Sequence, residues 1–337
     1  MAIPLRQQLR VGGYLVTERL RGHTRFPLVL ELEPLFGCNL ACPGCGKVRV
    51  APDILRRRLS VGAALAAADE CGAPVVSLAG GEPLLHPGID RIAAGLVAQG
   101  RFVYLCTNGL LMARLLGRFR PSPRFAWAVH LDGLGDEHDA SVARSGVFDT
   151  AVAAIRRARA AGFRVTTNST IFSDQAPENV RRLLDYLNDE LRVDAMMLAP
   201  AYAYEAAADQ GRFLARAQTR ALFRSVFADG RRRRWRLNHS PLYLDFLEGR
   251  AELDCSPWGV PGYSVLGWQR PCYLRADEHC RTWRQLSEET DWRRYGPGRG
   301  DARCDDCMAH AGYEPSAVLA TTSSARASLR ALRGVLT

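Results

Sequence analysis

Residues 28–45 read LVLELEPLFGCNLACPGC, and this stretch decides the fold. Its first part, 28–33, is a short apolar run of strand length. Five residues further on come Cys38, Cys42 and Cys45 in the spacing C-x3-C-x2-C. Three thiolates this close can hold three irons of a cubane cluster and leave the fourth iron open to another ligand. A structural zinc would take a fourth side-chain ligand, and His23 and His86 belong to distant segments. A zinc knuckle or unligated thiols is the competing reading.

Working outward, further apolar runs at 74–79, 101–106, 125–131, 163–170 and 193–199 predict strands. Helical patterns lie between them. Val180, Leu183, Leu184, Leu187 and Leu191 keep a 3.6-residue period, and 151–161 is rich in Ala and Arg. Strands alternating with helices imply a parallel sheet covered on its faces. Six such units predict an α/β protein with an open, partial (β/α)6 TIM-like barrel, whose chemistry sits at the carboxyl ends of the strands. The polar motifs fall there. Cys38 follows the first strand, Gly80-Gly81-Glu82-Pro83 the second and Thr107-Asn108-Gly109 the third, while the fourth runs into His130-Leu131-Asp132-Gly133.

The expected organisation is a basic amphipathic helix over 1–25, the barrel over 26–240, a small cysteine-rich C-terminal domain over 241–316, and a peripheral helix or tail over 317–337. The chain of 337 residues, 47% hydrophobic, is long enough for one large domain and a small appendage. No apolar run approaches the roughly 20 residues of a membrane-spanning helix. The opening MAIPLRQQLRVGGYL lacks a signal-peptide core. A cytoplasmic location is expected, with ten cysteines pointing to metal or redox chemistry before disulfides. The net charge of +10, including Arg231 to Arg234, reads as a solvated surface. No motif supports a nucleic-acid partner.

Taken together, C-x3-C-x2-C and a Gly-Gly-Glu-Pro segment about 40 residues later resemble the radical S-adenosylmethionine (SAM) superfamily. The resemblance implies a [4Fe–4S] cluster on Cys38, Cys42 and Cys45 that binds SAM at its open iron. It also implies reductive cleavage of SAM to a 5′-deoxyadenosyl radical, with an electron donor of flavodoxin or ferredoxin type. By the same resemblance Gly80, Gly81 and Glu82 receive the SAM ammonium. Asn108, His130, Asp132, Arg144 and Asn168 become further candidates for contact with SAM. Gly44 departs from the aromatic residue that relatives often carry before the third cysteine, so adenine contacts must come from elsewhere.

At the level of the whole chain, PLRQQLRVGGYL, WAVHLDGLGDEHD, GWQRPCYL and EETDWRRYG are similar to the adenosyl-hopene transferase family of hopanoid biosynthesis. This likeness implies addition of the 5′-deoxyadenosyl radical to the terminal alkene of hopene (diploptene), a triterpene. A radical SAM enzyme acting on a nucleoside, sugar or peptide is the alternative. On the first reading Cys106, at the end of the third strand, is a candidate hydrogen donor to the product radical, and Tyr104 is expected on the opposite face. Packing as a small buried hydrophobe is the plain alternative for Cys106.

An apolar substrate drawn from a bilayer gives meaning to Leu5, Leu9, Val16 and Leu20, which share a helical face flanked by Arg6, Arg10, Arg19 and Arg21. That helix either contacts a membrane peripherally or caps the barrel base. Finally, Cys255 and Cys272, with Cys304 and Cys307, resemble part of an auxiliary-cluster domain. They are read as holding a second Fe–S cluster, a zinc ion or no metal. Cys71 and Cys280 have no evident ligand role.

Overall fold

Strands form close to each of the six expected runs: β1 Val29–Glu33, β2 Val75–Leu78, β3 Phe102–Thr107, β4 Phe125–His130, β5 Arg164–Ile171 and β6 Ala195–Pro200. The computed structural model of the chain describes residues 3–47 and 49–321. Each of the six pairs in parallel with the next. Helices cover the crossovers: α1 Leu5–Leu20 precedes the sheet, α2 Val61–Cys71 and α3 Ile89–Ala98 flank β2, α4 Val147–Ala160 precedes β5 and α5 Pro177–Asp185 precedes β6. Local chemistry sets their ends. Ser60 caps α2 by accepting from Ala63 N, Gly72 closes it in a left-handed conformation, and Pro177 opens α5.

The sheet does not close. Its order runs from β6 to β1 and then continues through β7 Gly262–Ser264, β8 Gly267–Arg270 and β9 Glu278–Cys280. β7 lies parallel to β1, and the last three strands form an antiparallel meander. The cysteine-rich segment is therefore built onto the barrel's own edge. Helix α6 Arg216–Val226 follows β6, and α7 His310–Thr321 follows the meander. Of the expected terminal element, 317–321 belong to α7, and 322–337 lie outside the described residues.

Strand alternation separates two layers. Leu30, Leu32, Val76, Leu78, Val103, Leu105, Trp127 and Val129 point to the helices and are buried there. Trp127 is the centre of an aromatic cluster, with Phe119, Phe125 and Phe163 rings 4.7, 5.3 and 6.1 Å away. On the inner face, Val75, Phe102, Tyr104 and Ala126 fill the amino-terminal end of the barrel. Tyr104 Oη donates there to Gln7 Oε1 of α1 at 2.7 Å. This places Tyr104 on the same face as Cys106, because residues two apart on a strand point the same way. The expectation of opposite faces was wrong. Beyond that plug the inner residues shrink to Ala79, Cys106, Ala128 and Ala199, and the space they leave is a cavity of about 530 Å³.

Candidate active site

The cavity opens at the carboxyl ends of the strands, and Cys38, Cys42 and Cys45 form one wall. Backbone amides point at the sulfurs: Leu40 N donates to Cys38 Sγ at 3.4 Å and Lys47 N to Cys45 Sγ at 3.3 Å. Burial, with the neighbouring thiols next, pushes Cys42 up to about 12, and burial also raises Cys38. A cationic iron centre relieves that penalty. Among the described residues no three Cys, His, Asp or Glu side chains are disposed to hold a single metal ion. A cubane makes a different demand, since each thiolate binds its own iron. The donor set fits a cluster and leaves the zinc reading without a site.

The Gly80-Gly81-Glu82 segment continues the β1–β2 pairing past the strand ends. Ala79 N, Gly81 N and Glu82 N donate to the carbonyls of Leu32, Leu35 and Gly37. A Cβ on Gly80 (φ +109) would meet the Leu35 carbonyl, and one on Gly81 the carbonyls of Phe36 and Gly37. The glycines are thus required by the cysteine loop lying across them, a role that spacing alone does not reveal. Glu82 is 1% exposed yet borders the cavity. It accepts from Thr107 Oγ1 (2.8 Å), Asn108 N (2.9 Å) and Leu84 N (3.0 Å). Burial holds its carboxyl above the usual range against those hydrogen bonds, so an ammonium beside it is favourable. Asn108 Nδ2 also bonds Asn39 Oδ1 at 2.7 Å, steadying the loop beside Cys38.

On β4, His130 Nε2 lies 2.8 Å from Asp132 Oδ2. Burial alone would lower the His130 pKa, but the charge and hydrogen bond of Asp132 outweigh it and raise it. Asp132 shows the converse: burial would raise it, and His130 brings it down. Ser141 Oγ (2.9 Å) and Thr170 N (2.7 Å) donate to the same carboxylate. The result is a hydrogen-bonded pair in the cavity wall, its carboxylate buried and its imidazole partly exposed. Asn168 stands beside His130 in register and lines the cavity. Arg144 is exposed and donates to Asn39 O at 3.3 Å, on the outside of the cysteine loop.

The wall also contains groups that motif reading missed. Glu31 and Glu33 alternate with Leu30 and Leu32, and alternation was the available signal, since a sheet covered on its outer face turns every second residue inward. Glu33 Oε2 accepts from Lys47 Nζ (3.1 Å) and Gln269 Nε2 (2.7 Å). Burial, then the neighbouring Glu33, raises Glu31 to about 8. Phe172, from the end of β5, fills the space over Gly44, where a Cβ would stand 2.8 Å from its ring. It supplies the aromatic wall absent from position 44. Tyr204 packs likewise on Gly46, and Tyr202 and Tyr273 complete the far side.

Cys106 borders this cavity, its Sγ 3.5 Å from Ser77 Oγ. Burial, then the charge of Glu31, pushes its thiol up to about 12, so the S–H bond is retained at neutral pH. A second, small cavity brings together Cys255, Cys272, Cys304 and Cys307. Burial raises Cys255 well above its usual value, Cys272 to about 11 and Cys307 to about 12. Gly312 is confined beside this cavity, since a Cβ there would lie 2.5 Å from Cys255 Sγ. Tyr202 and Leu274 line both cavities and form the partition between them.

Residues 32–187 match the radical SAM superfamily, and residues 196–331 match a domain of unknown function (DUF3463). This part of the chain thus resembles a radical SAM domain, a class that uses a [4Fe–4S] cluster and SAM. Curated relatives include the AdoMet-dependent heme synthase of Methanosarcina barkeri, 31% identical over 44% of this chain and 44% of that protein. Another is the pre-heme d1 synthase of Dinoroseobacter shibae, 28% identical over 45% of this chain and 38% of that one. The chain thus matches less than half the length of these relatives. Among solved structures, Streptococcus suis SuiB bound to S-adenosylmethionine superposes with a TM-score of 0.64 at 16% identity, covering 90% of this chain and 76% of that one. Native anSMEcpe with bound AdoMet gives 0.59 at 14%, covering 91% and 100%. These likenesses establish the fold.

Proposed function

We propose that the protein is a radical SAM transferase that joins the 5′-deoxyadenosyl group of SAM to the terminal alkene of hopene (diploptene), giving adenosylhopane. When bound at Cys38, Cys42 and Cys45, the cluster supplies the electron that cleaves SAM to methionine and a 5′-deoxyadenosyl radical. Glu82 receives the ammonium of SAM, and His130, whose protonation Asp132 favours, faces its carboxylate. Asn168 is placed for the ribose, and Asn108 holds the cysteine loop in register.

The observation that carries this reading is Cys106, an intact thiol in the wall of the same cavity. Bond formation to the alkene leaves an unpaired electron on a tertiary carbon of the triterpene. The S–H bond of Cys106 breaks homolytically, a C–H bond forms, and the thiyl left behind is restored by one electron and one proton. A flavodoxin- or ferredoxin-type donor supplies the electron. Transfer runs downhill because a thiol S–H is weaker than a tertiary C–H. Ala79, Ala128, Ala199, Pro200 and Leu274 give the apolar part of the cavity. The thiols Cys255, Cys272, Cys304 and Cys307 support a second Fe–S centre behind Tyr202.

Anaerobic incubation with SAM, a low-potential reductant and diploptene tests the proposal. Adenosylhopane detected by mass spectrometry is the expected product, and release of 5′-deoxyadenosine alone would overturn the substrate assignment. One observation favours a second reading. Glu31, Glu33 and Lys47 in the wall suit a substrate with polar groups, such as a nucleoside, sugar or peptide.

A further inference from the structure

The outward side of α1 belongs neither to the cavity nor to the cysteine centres. At about 100° per residue, Leu5, Val16, Leu9 and Leu20 fall within an arc of roughly 60°. They are 68%, 57%, 67% and 84% exposed. The opposite arc holds Gln7, Leu15 and Glu18, all buried. Gln7 meets Tyr104, and Leu15 packs with Phe26 and Leu28. The helix thus carries a second apolar stripe on its solvent side, opposite the face on which Leu15 packs inward with Phe26 and Leu28.

The margin of the stripe is cationic. Arg6 and Arg10 are exposed on one side of it. Arg19 lies on the other and donates to Leu319 O at 3.0 Å. Glu18, the helix's one acid, sits on the far face bonded to Arg21 and His23.

We propose that α1 is an interfacial helix that docks the protein on an anionic lipid surface. Leu5, Leu9, Val16 and Leu20 enter the boundary of the acyl chains, and Arg6 and Arg10 meet headgroup phosphates. Charge decides between this and other occupants. A second copy of the helix would set arginines against arginines. The chain's own segment 322–337 carries Arg326, Arg330 and Arg333 and no acid, the same sign again. The helix packs at the amino-terminal end of the sheet, while the cavity lies at the carboxyl end. The contact is thus an anchor, and it stands whatever the substrate is.

Co-sedimentation of the full chain with vesicles tests it. The protein is expected to pellet with vesicles of equal parts phosphatidylglycerol and phosphatidylcholine, to stay in solution with phosphatidylcholine alone, and to be released by salt. Leu9→Ser with Leu20→Ser should lower the partition coefficient more than tenfold, as expected for buried aliphatic groups. Arg6→Gln with Arg10→Gln, which leaves the leucines in place, should lower it roughly fivefold per arginine. Circular dichroism and cluster content serve as controls for folding. Failure of the native chain to pellet with anionic vesicles overturns the proposal. So does binding that survives the leucine replacements, or a dimer that those replacements convert to a monomer in light scattering.

Discussion

On the proposed adenosyl transfer, the fate of the product radical rests on a single side chain, Cys106. Its thiol keeps its hydrogen at neutral pH because burial opposes the thiolate. Cys106→Ala should leave SAM cleavage within about tenfold of the native enzyme and abolish the saturated adduct. In deuterated water the native enzyme should deliver deuterium to the product, since a thiol exchanges with solvent; an unlabelled product would exclude the cysteine as donor. Glu31 is the residue least visible beforehand, being a carboxylate in a strand that reads as apolar. Its folded-state pKa is about 8 against an ordinary 4.5, so between those values the folded protein holds a proton that the unfolded chain has released. Stability should therefore fall as pH rises through this window, by up to about 1.4 kcal/mol per unit. Glu31→Gln removes this dependence. Its urea midpoint should gain on the native protein from about pH 5 to pH 8, and a constant difference would show that Glu31 is ionised throughout.

Between residue and molecule, the decisive unit is the pair of loops that follow β1 and β2. C-x3-C-x2-C was legible because its chemistry is in the spacing, and the strands were legible because apolar runs of their length alternate with helical periods. The reason for the two glycines was not legible, since it depends on which carbonyls cross them in space. Gly81→Ala would drive a methyl group into the carbonyls of Phe36 and Gly37. Backbone cannot yield as a flexible side chain does, so a loss of about 1–3 kcal/mol is expected. The accompanying displacement of the cysteine loop should lower iron content after anaerobic reconstitution. Full iron occupancy in this variant would mean that the two loops are not mechanically linked. Strands β7 to β9 escaped the sequence for another reason: at three or four residues each, they are too short for any period to register.

The largest-scale feature is the seating of two cysteine groups on one continuous sheet. β7 pairs with β1, the strand that leads into Cys38, while Cys272 follows β8 in the same meander. Cys255, Cys304 and Cys307 come from segments dispersed over more than forty residues of sequence, so their meeting could be guessed from likeness but not from spacing. Four thiols around one zinc would have to lie about 2.3 Å from a common point. Spread over a cubane they need not. A second cluster here predicts that Cys272→Ala with Cys307→Ala retains about half the iron of the native protein, because each cubane binds its irons independently. The remaining iron should stay SAM-responsive in its electron paramagnetic resonance spectrum, as the centre on Cys38, Cys42 and Cys45 is untouched. Tyr202 stands between the two cavities, so loss of the rear centre should slow repeated turnover more than the first. Unchanged iron content in the double variant would assign these four thiols to packing, and the protein would then run on one cluster.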